Sequence, residues 1–380
     1  MRIYLDHAAT TPLRQEAREA MLPFLEDSAL MGNPSSQHAE GFKAARLLEQ
    51  FHDRAATFFA CKGNDVVFNS GASEGNSHVI IGSLLLLKKP VHVAISAVEH
   101  KAGLLAAERL TQLGGRQTII PVDGNGVVQL EFLEKLITSD RPDLVSVMAV
   151  NNETGVVQPV GEISQICREH GVLVHCDAVQ SVGNGFSETL RNPDIDFLTC
   201  TAHKFGGPRG IGLLIQRGHN LPSLICGGPQ EHGCRAGTEN LAGIAGMIAA
   251  LELAEENLEK SDFLHSIRSG FESSLLSSDQ QIVIHGIDAN RAPHICSFAI
   301  PGIKARRKQK ELDRSGFSVG LGSACTGCNN KVSHVLEAMG IDSKTSEETL
   351  RISFGWSTLI DDVFMFEENL GLSVPQSRLI

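Results

Sequence analysis

Short apolar runs alternate with longer, helix-prone stretches through the first two thirds of the chain. The runs at 66–69, 91–96, 144–150, 172–176, 197–201 and 212–215 are rich in Val, Leu, Ile and Phe, which predicts short buried strands. The stretches between them, at 41–59, 73–87, 102–113, 129–138 and 163–170, predict helices. Strands alternating with helices predict an α/β fold whose mainly parallel sheet is covered by helices on both faces. Ligands on such sheets gather at the C-terminal ends of the strands, so polar residues just past each apolar run are the candidates for chemistry. The Ala- and Leu-rich tract 240–258 predicts one long helix. Beyond it the chain turns more polar, and apolar runs at 282–285 and 296–300 predict strands of a second unit.

Composition narrows the class. The chain has 380 residues, 42% of them apolar, enough for two or three domains' worth of material. A net charge of −11 argues against nucleic acid as a partner, since phosphate binding wants a basic surface. The basic run from Lys304 to Lys310 is a local exception and reads best as a solvated helix face. The first residues show no secretory signal, and the longest uncharged apolar run, 241–251, is too short to span a bilayer. Nine cysteines, an odd number mostly in apolar surroundings, suggest a reducing compartment, so a cytoplasmic protein is expected.

Four segments carry candidate chemistry. The run 197–201 leads through Thr201 into His203, Lys204 and a Gly/Pro turn, where a lysine could form a Schiff base with a carbonyl cofactor. In isolation a solvated lysine is the better reading. The run 172–176 leads into Asp177, with Gln180 beyond it. A buried acid needs a partner, and a pyridinium nitrogen is one; a helix cap is an equally good reading of Asp177 alone. At Ser70-Gly-Ala-Ser73 a strand gives way to a helix start whose free amides suit a phosphate, although an ordinary cap is the simpler account. No GxGxxG or Walker pattern is present, which counts against a nicotinamide dehydrogenase. Finally, Cys325 stands among Gly, Ser, Thr and Asn, where an exposed thiol could act as a nucleophile. Cys328 makes a Cys-x-x-Cys pair with it, but no second pair exists and only His334 lies near, so no metal is expected.

Taken together the segments resemble the cysteine desulfurases, the NifS/IscS-like branch of fold-type I pyridoxal-phosphate (PLP) enzymes in the class V aminotransferase family. The resemblance runs in order from Tyr4-Leu-Asp-His-Ala-Ala-Thr-Thr11 and Gly32-Asn-Pro-Ser-Ser-Gln-His38 through Ser70–Glu74, Glu99-His-Lys101 and Asn151-Asn-Glu-Thr-Gly155. It continues with Asp177–Gln180, Ala202-His-Lys204, Gly233–Asn240, Gly322-Ser-Ala-Cys-Thr326 and Leu350-Arg-Ile-Ser353. It implies a large PLP-binding domain at 14–256 and a small α/β domain made of 1–13 with 257–380, the latter carrying the cysteine loop. It assigns the cofactor to Lys204, ring stacking and proton transfer to His100, the pyridinium nitrogen to Asp177 and the ring hydroxyl to Gln180. Ser73, Thr201 and His203 would hold the phosphate. Thr238 would reach the phosphate of a neighbouring subunit, which implies a homodimer. Arg351 and Asn152 would hold the carboxylate of L-cysteine, and Cys325 would take the sulfur as a persulfide for a sulfur-acceptor or scaffold protein, as in iron–sulfur cluster assembly. The segment around Cys325 looks like the long-loop subgroup. Pro229, Cys234, Trp356, Cys328 and the basic run depart from the family pattern without removing a catalytic group. Alternatives are a selenocysteine lyase or cysteine β-eliminating PLP lyase on the same fold, and a non-catalytic desulfurase-like assembly partner.

Overall fold

The computed structural model describes residues 2–26, 30–255, 258–322 and 332–372. Twelve strands among them form two sheets. The larger contains β2 (Val66–Asn69), β3 (His92–Ser96), β4 (Arg116–Ile120), β5 (Leu144–Met148), β6 (Leu173–Asp177), β7 (Phe197–Thr201) and β8 (Gly212–Gln216), in the spatial order β2-β8-β7-β6-β5-β3-β4. The strands β3 to β7 pair in parallel, whereas β8 runs antiparallel to both of its neighbours. The sheet is therefore mainly parallel with one reversed strand. Every residue of β3, β5 and β7 is buried, as expected for strands covered on both faces. Their sequences are mostly apolar for that reason, with only small polar residues and His92 among them.

The chain order places β4 on one side of β3 and β5 on the other. This reversal opens a crevice at the C-terminal strand ends, the usual position for a ligand in an open parallel sheet. Edge strand β4 escapes the apolar pattern because Arg116 and Gln117 face solvent.

The second sheet has the order β1-β11-β12-β10-β9, from β1 (Ile3–Leu5), β9 (Val283–Ile284), β10 (Ile295–Ala299), β11 (Phe317–Leu321) and β12 (Thr349–Ser353). Its core packs Leu5, Phe271, Phe298, Phe317, Leu350 and Phe366. Strand β1 lies parallel to β11, with Ile3 opposite Phe317. The chain then crosses to the large sheet: the Thr11 amide donates to the His203 carbonyl and the Arg14 amide to the Gly206 carbonyl, each at 2.9 Å.

Within the tract expected to be one helix, Leu241–Glu255 is helical and a second helix begins at Leu258. The first is apolar all round and packs closely on the helix Gln15–Glu26. The basic run forms the helix Ala305–Arg314, which buries Ala305 and Leu312 and leaves Arg306, Arg307 and Lys310 exposed. No helix among the described residues is long and apolar enough to cross a membrane.

Candidate active site

A cavity of about 570 Å³ opens at the C-terminal ends of β2, β5, β6 and β7. Its wall includes Ser73, His100, Asn152, Asp177, Gln180, Thr201, His203, Lys204 and Arg351, nine of the residues singled out from the sequence. Thr238 is exposed and lies outside this wall. Cys325 and Cys328 lie outside the described residues.

Asp177 ends β6 and is 4% exposed. Its Oδ2 accepts from Asn76 Nδ2 at 2.7 Å and its Oδ1 from the Val179 amide at 3.1 Å. Beneath it lies Glu99, fully buried, whose Oε1 accepts from the Met148 amide at 2.6 Å. Burial, with the Asp177 charge beside it, pushes the Glu99 carboxyl well above the ordinary carboxylate range. Glu99 is thereby held protonated behind Asp177, which faces the cavity.

Lys204 closes a short turn after β7 and donates through Nζ to the carbonyls of Ala8 at 2.5 Å and Ala9 at 2.9 Å. The same Ala8 carbonyl accepts from Gln180 Nε2 at 3.0 Å. One loop from the N-terminus therefore fixes both groups. His203 Nδ1 lies 3.1 Å from Thr10 Oγ1, and burial, with the charges of Lys204 and Arg209, pulls its imidazole down to about 4. Thr201 Oγ1 donates to the Ile211 carbonyl at 3.1 Å.

The phosphate candidate is the start of the helix Ala72–Leu87. Gly71 caps it at φ +143°, a conformation closed to side-chain-bearing residues, and an added Cβ would stand 3.4 Å from Thr201 Oγ1. The amides of Ala72 and Ser73 have no partner among the described residues, as first-turn amides require a ligand or water. Glu74 in the same turn would repel an anion. Burial raises its carboxyl, but the bonds from Arg235 and Ser70 prevail and hold it below its usual value. Arg209, exposed beside this cradle, has no carboxylate partner among the described residues.

Arg351 reaches the cavity from β12 of the other sheet, although it is 1% exposed. Its Nη2 donates to Asp6 Oδ1 at 2.6 Å and its Nη1 to the Asn152 carbonyl at 2.9 Å. Its Nε is buried without a partner. His100 caps the helix Lys101–Gln112, its Nδ1 accepting from the Ala102 amide at 3.1 Å.

The donor set fits a phosphate-bearing pyridine cofactor. The cradle offers free amides, the floor the buried acid Asp177, and the rim an amine. Among the described residues no group of three His, Cys, Asp or Glu could hold a metal.

Sequence reasoning missed Asn76, Glu99, Asp6, Arg209, His294 and the carbonyls of Ala8 and Ala9. Asn76 lies one helical turn past Ser73, and Glu99 immediately precedes His100, so both had a spacing signal. A backbone carbonyl has none.

Comparisons agree with this geometry. The family model described as Aminotransferase class-V matches residues 3–366. A protein of Dictyoglomus turgidum named cysteine desulfurase IscS is 37% identical over 364 residues, covering 95% of this chain and 91% of its own. A cysteine desulfurase of Klebsiella pneumoniae is 39% identical over 353 residues, covering 92% and 87%. A solved structure titled NifS-like protein superposes with a TM-score of 0.89 at 32% identity, covering 97% of this chain and 98% of that one.

Proposed function

The chain belongs to the aminotransferase class-V family, and from that premise we propose that it is a cysteine desulfurase: it holds PLP, removes sulfur from L-cysteine and releases L-alanine, leaving a persulfide on Cys325. The observation that carries the reading is the meeting of Lys204 and Asp177, from the ends of neighbouring strands, with Arg351 in one cavity. Relatives named for desulfurating cysteine do not favour a selenocysteine lyase, a β-eliminating lyase or a non-catalytic partner.

The bound cofactor supplies a carbonyl and an electron-poor ring that accepts the electrons released from the substrate. Lys204 Nζ would hold the cofactor covalently and return to it after turnover. Asp177 would keep a proton on the ring nitrogen, its charge undivided because Glu99 stays neutral. Gln180 would donate to the ring hydroxyl. The amides of Ala72 and Ser73, with Thr201 and His203, would hold the phosphate at a helix start. His100 would cover one ring face and carry protons at its imidazole. Arg351, its fork set by Asp6, would take the substrate carboxylate together with Asn152. The Cys325 thiolate would attack the substrate sulfur, with the C–S electron pair leaving to the cofactor side.

We assign residues 14–256 to a large domain and 1–13 with 257–380 to a small one. The pairing of β1 with β11 supports this division. Thr238, exposed here, is assigned to the phosphate of a second copy in a homodimer. The persulfide is assigned to an acceptor or scaffold protein, and the chain to the cytoplasm; the seven described cysteines, all unpaired, support a reducing compartment.

The test is product analysis with L-cysteine and PLP. With a thiol reductant, alanine and sulfide should accumulate in equal amounts. Without one, alanine should stop at about one equivalent per site while a persulfide remains on the protein. Pyruvate and ammonia in place of alanine would refute desulfuration.

A further inference from the structure

Behind the cavity wall, an imidazole from the second sheet's side of the molecule touches a residue of the first. His294 immediately precedes β10 and is 3% exposed. Its Nε2 lies 3.2 Å from Gln180 Oε1, while Gln180 Nε2 donates to the Ala8 carbonyl at 3.0 Å.

A primary amide can sit either way round, and its surroundings choose. Turned over, Gln180 would set its oxygen against the Ala8 carbonyl, two acceptors face to face. The Ala8 carbonyl, already held by Lys204 Nζ, thus demands the NH2 group. That leaves Oε1 pointing at His294, where it needs a donor. Burial pulls His294 to about 3, and nearby His7, Arg268, Lys204 and Arg351 act in the same direction. The ring is neutral and has one N–H to give. Oε1 fixes it on Nε2, and Nδ1 is left buried with no partner. In the other tautomer two acceptors, Nε2 and Oε1, would face each other and an N–H at Nδ1 would be buried unpaired, so the proton lies on Nε2.

We propose that His294 is a positioning residue: its Nε2–H locks the Gln180 amide so that one N–H meets Ala8 and the other is presented to the ring oxygen of the cofactor. The inference rests on the reading that Gln180 meets that oxygen. The second N–H of Gln180 has no protein partner among the described residues, and Gln180 lines the cavity. His294 thereby ties the second sheet to Gln180 from outside the residues that line the cavity.

A donor on the ring oxygen competes for the lone pairs that otherwise help the lysine-linked nitrogen hold its proton. Losing that donor should therefore raise the pH at which the visible absorption of the bound cofactor titrates. The experiment compares His294→Leu, His294→Gln, His294→Asn and Gln180→Leu in the PLP-loaded protein. It reads the absorption midpoint against pH and the Kd for PLP, with the melting temperature as a check on folding. His294→Leu should raise the midpoint by about one pH unit and weaken PLP binding about tenfold, the weight of one hydrogen bond. Gln places an N–H where Nε2 stood and should restore both. Asn falls short of that place and should behave like Leu, which keeps the test open if His294→Leu fails to fold. Gln180→Leu should move the midpoint at least as far as His294→Leu, and the double variant no further. If Gln180→Leu moves the midpoint while His294→Leu and His294→Asn do not, or if Gln fails to restore it, His294 is structural only and the proposal falls. If Gln180→Leu itself leaves the midpoint unchanged, the assignment of Gln180 to the ring oxygen falls, and the proposal with it.

Discussion

Glu153→Gln should make the protein more stable at alkaline pH and hardly change it at acid pH. Glu153 follows Asn152 beside the cavity, is 5% exposed, and accepts from Ser333 Oγ at 2.5 Å. Burial pushes its carboxyl from 4.5 to about 7, outweighing the Ser333 bond and the charges of Arg351, Lys101 and His100. The sign follows from which state holds the proton. Between 4.5 and about 7 the folded chain keeps a proton that the unfolded chain has lost, so stability falls as pH rises through that window. Ionising the buried carboxylate should cost about 3 kcal/mol in all, at ~1.4 kcal/mol per pH unit. Gln keeps the volume and an acceptor for Ser333 and carries no charge at any pH. With ~2.1 cal/mol/K of unfolding entropy per residue, the variant should melt about 4 °C above the parent at pH 8.5. Near pH 4.5 the two should melt together. The difference between the curves is the quantity to measure, because buried histidines bend the parent curve the other way. His7, His203 and His285 are drawn down to about 4, and His175 and His294 to about 3, each chiefly by burial. The unfolded chain protonates these rings first, so their contribution is lost as pH falls below 6.5. Both proteins share that loss, and it cancels. A melting difference that is the same at both ends of the pH range would refute the reasoning.

Three further outcomes concern the reaction itself. Lys204→Ala should abolish alanine formation while PLP still binds through its phosphate contacts; a borohydride-fixed cofactor on another lysine would overturn the assignment. Arg351→Ala should lower kcat/KM for cysteine by about two orders of magnitude, roughly 2–4 kcal/mol for a lost charge-assisted fork. An unchanged value would show that another group holds the carboxylate. Cys325→Ser should keep bound PLP but lose persulfide formation, whereas Cys328→Ser should leave alanine production near the parent rate. Mass spectrometry after one turnover without reductant, finding the extra sulfur first on Cys328, would reverse those roles.

Much of the large sheet was legible because its central strands are buried on both faces. In β5 and β7 every side chain is buried, so the run is dominated by apolar residues and Asn152 or Lys204 stands out just past its end. The second sheet was harder to see. In β11 and β12 the residues Ser318, Gly320 and Arg351 interrupt the pattern, since part of each strand turns toward the site. Arg351 was found through the family resemblance and not through periodicity. The long helix expected over 240–258 falls mainly on the helix Leu241–Glu255, and its last residue belongs to the more polar helix Leu258–Leu276. The supporting groups of the site were the least visible. Glu99, Asn76 and His294 act through burial and through partners distant in sequence, and the clamp on Lys204 is made of peptide carbonyls, which look alike in any sequence.

The pairing of β1 with β11 also has a consequence for how the protein is made. Ile3 finds its partner Phe317 only after 314 further residues have followed it. At a synthesis rate of ~5–20 residues per second, the N-terminal strand waits roughly a quarter of a minute to a minute with its hydrogen-bonding edge unpaired. During that wait the large sheet can form, but the Ala8 and Ala9 carbonyls that hold Lys204 are not yet anchored from the N-terminal side. Lys204 thus acquires its setting only once β1 has paired, and a nascent chain stalled before β11 should fold its large sheet without completing the cavity. A bulky fusion ahead of Arg2 would burden the pairing of β1 with β11.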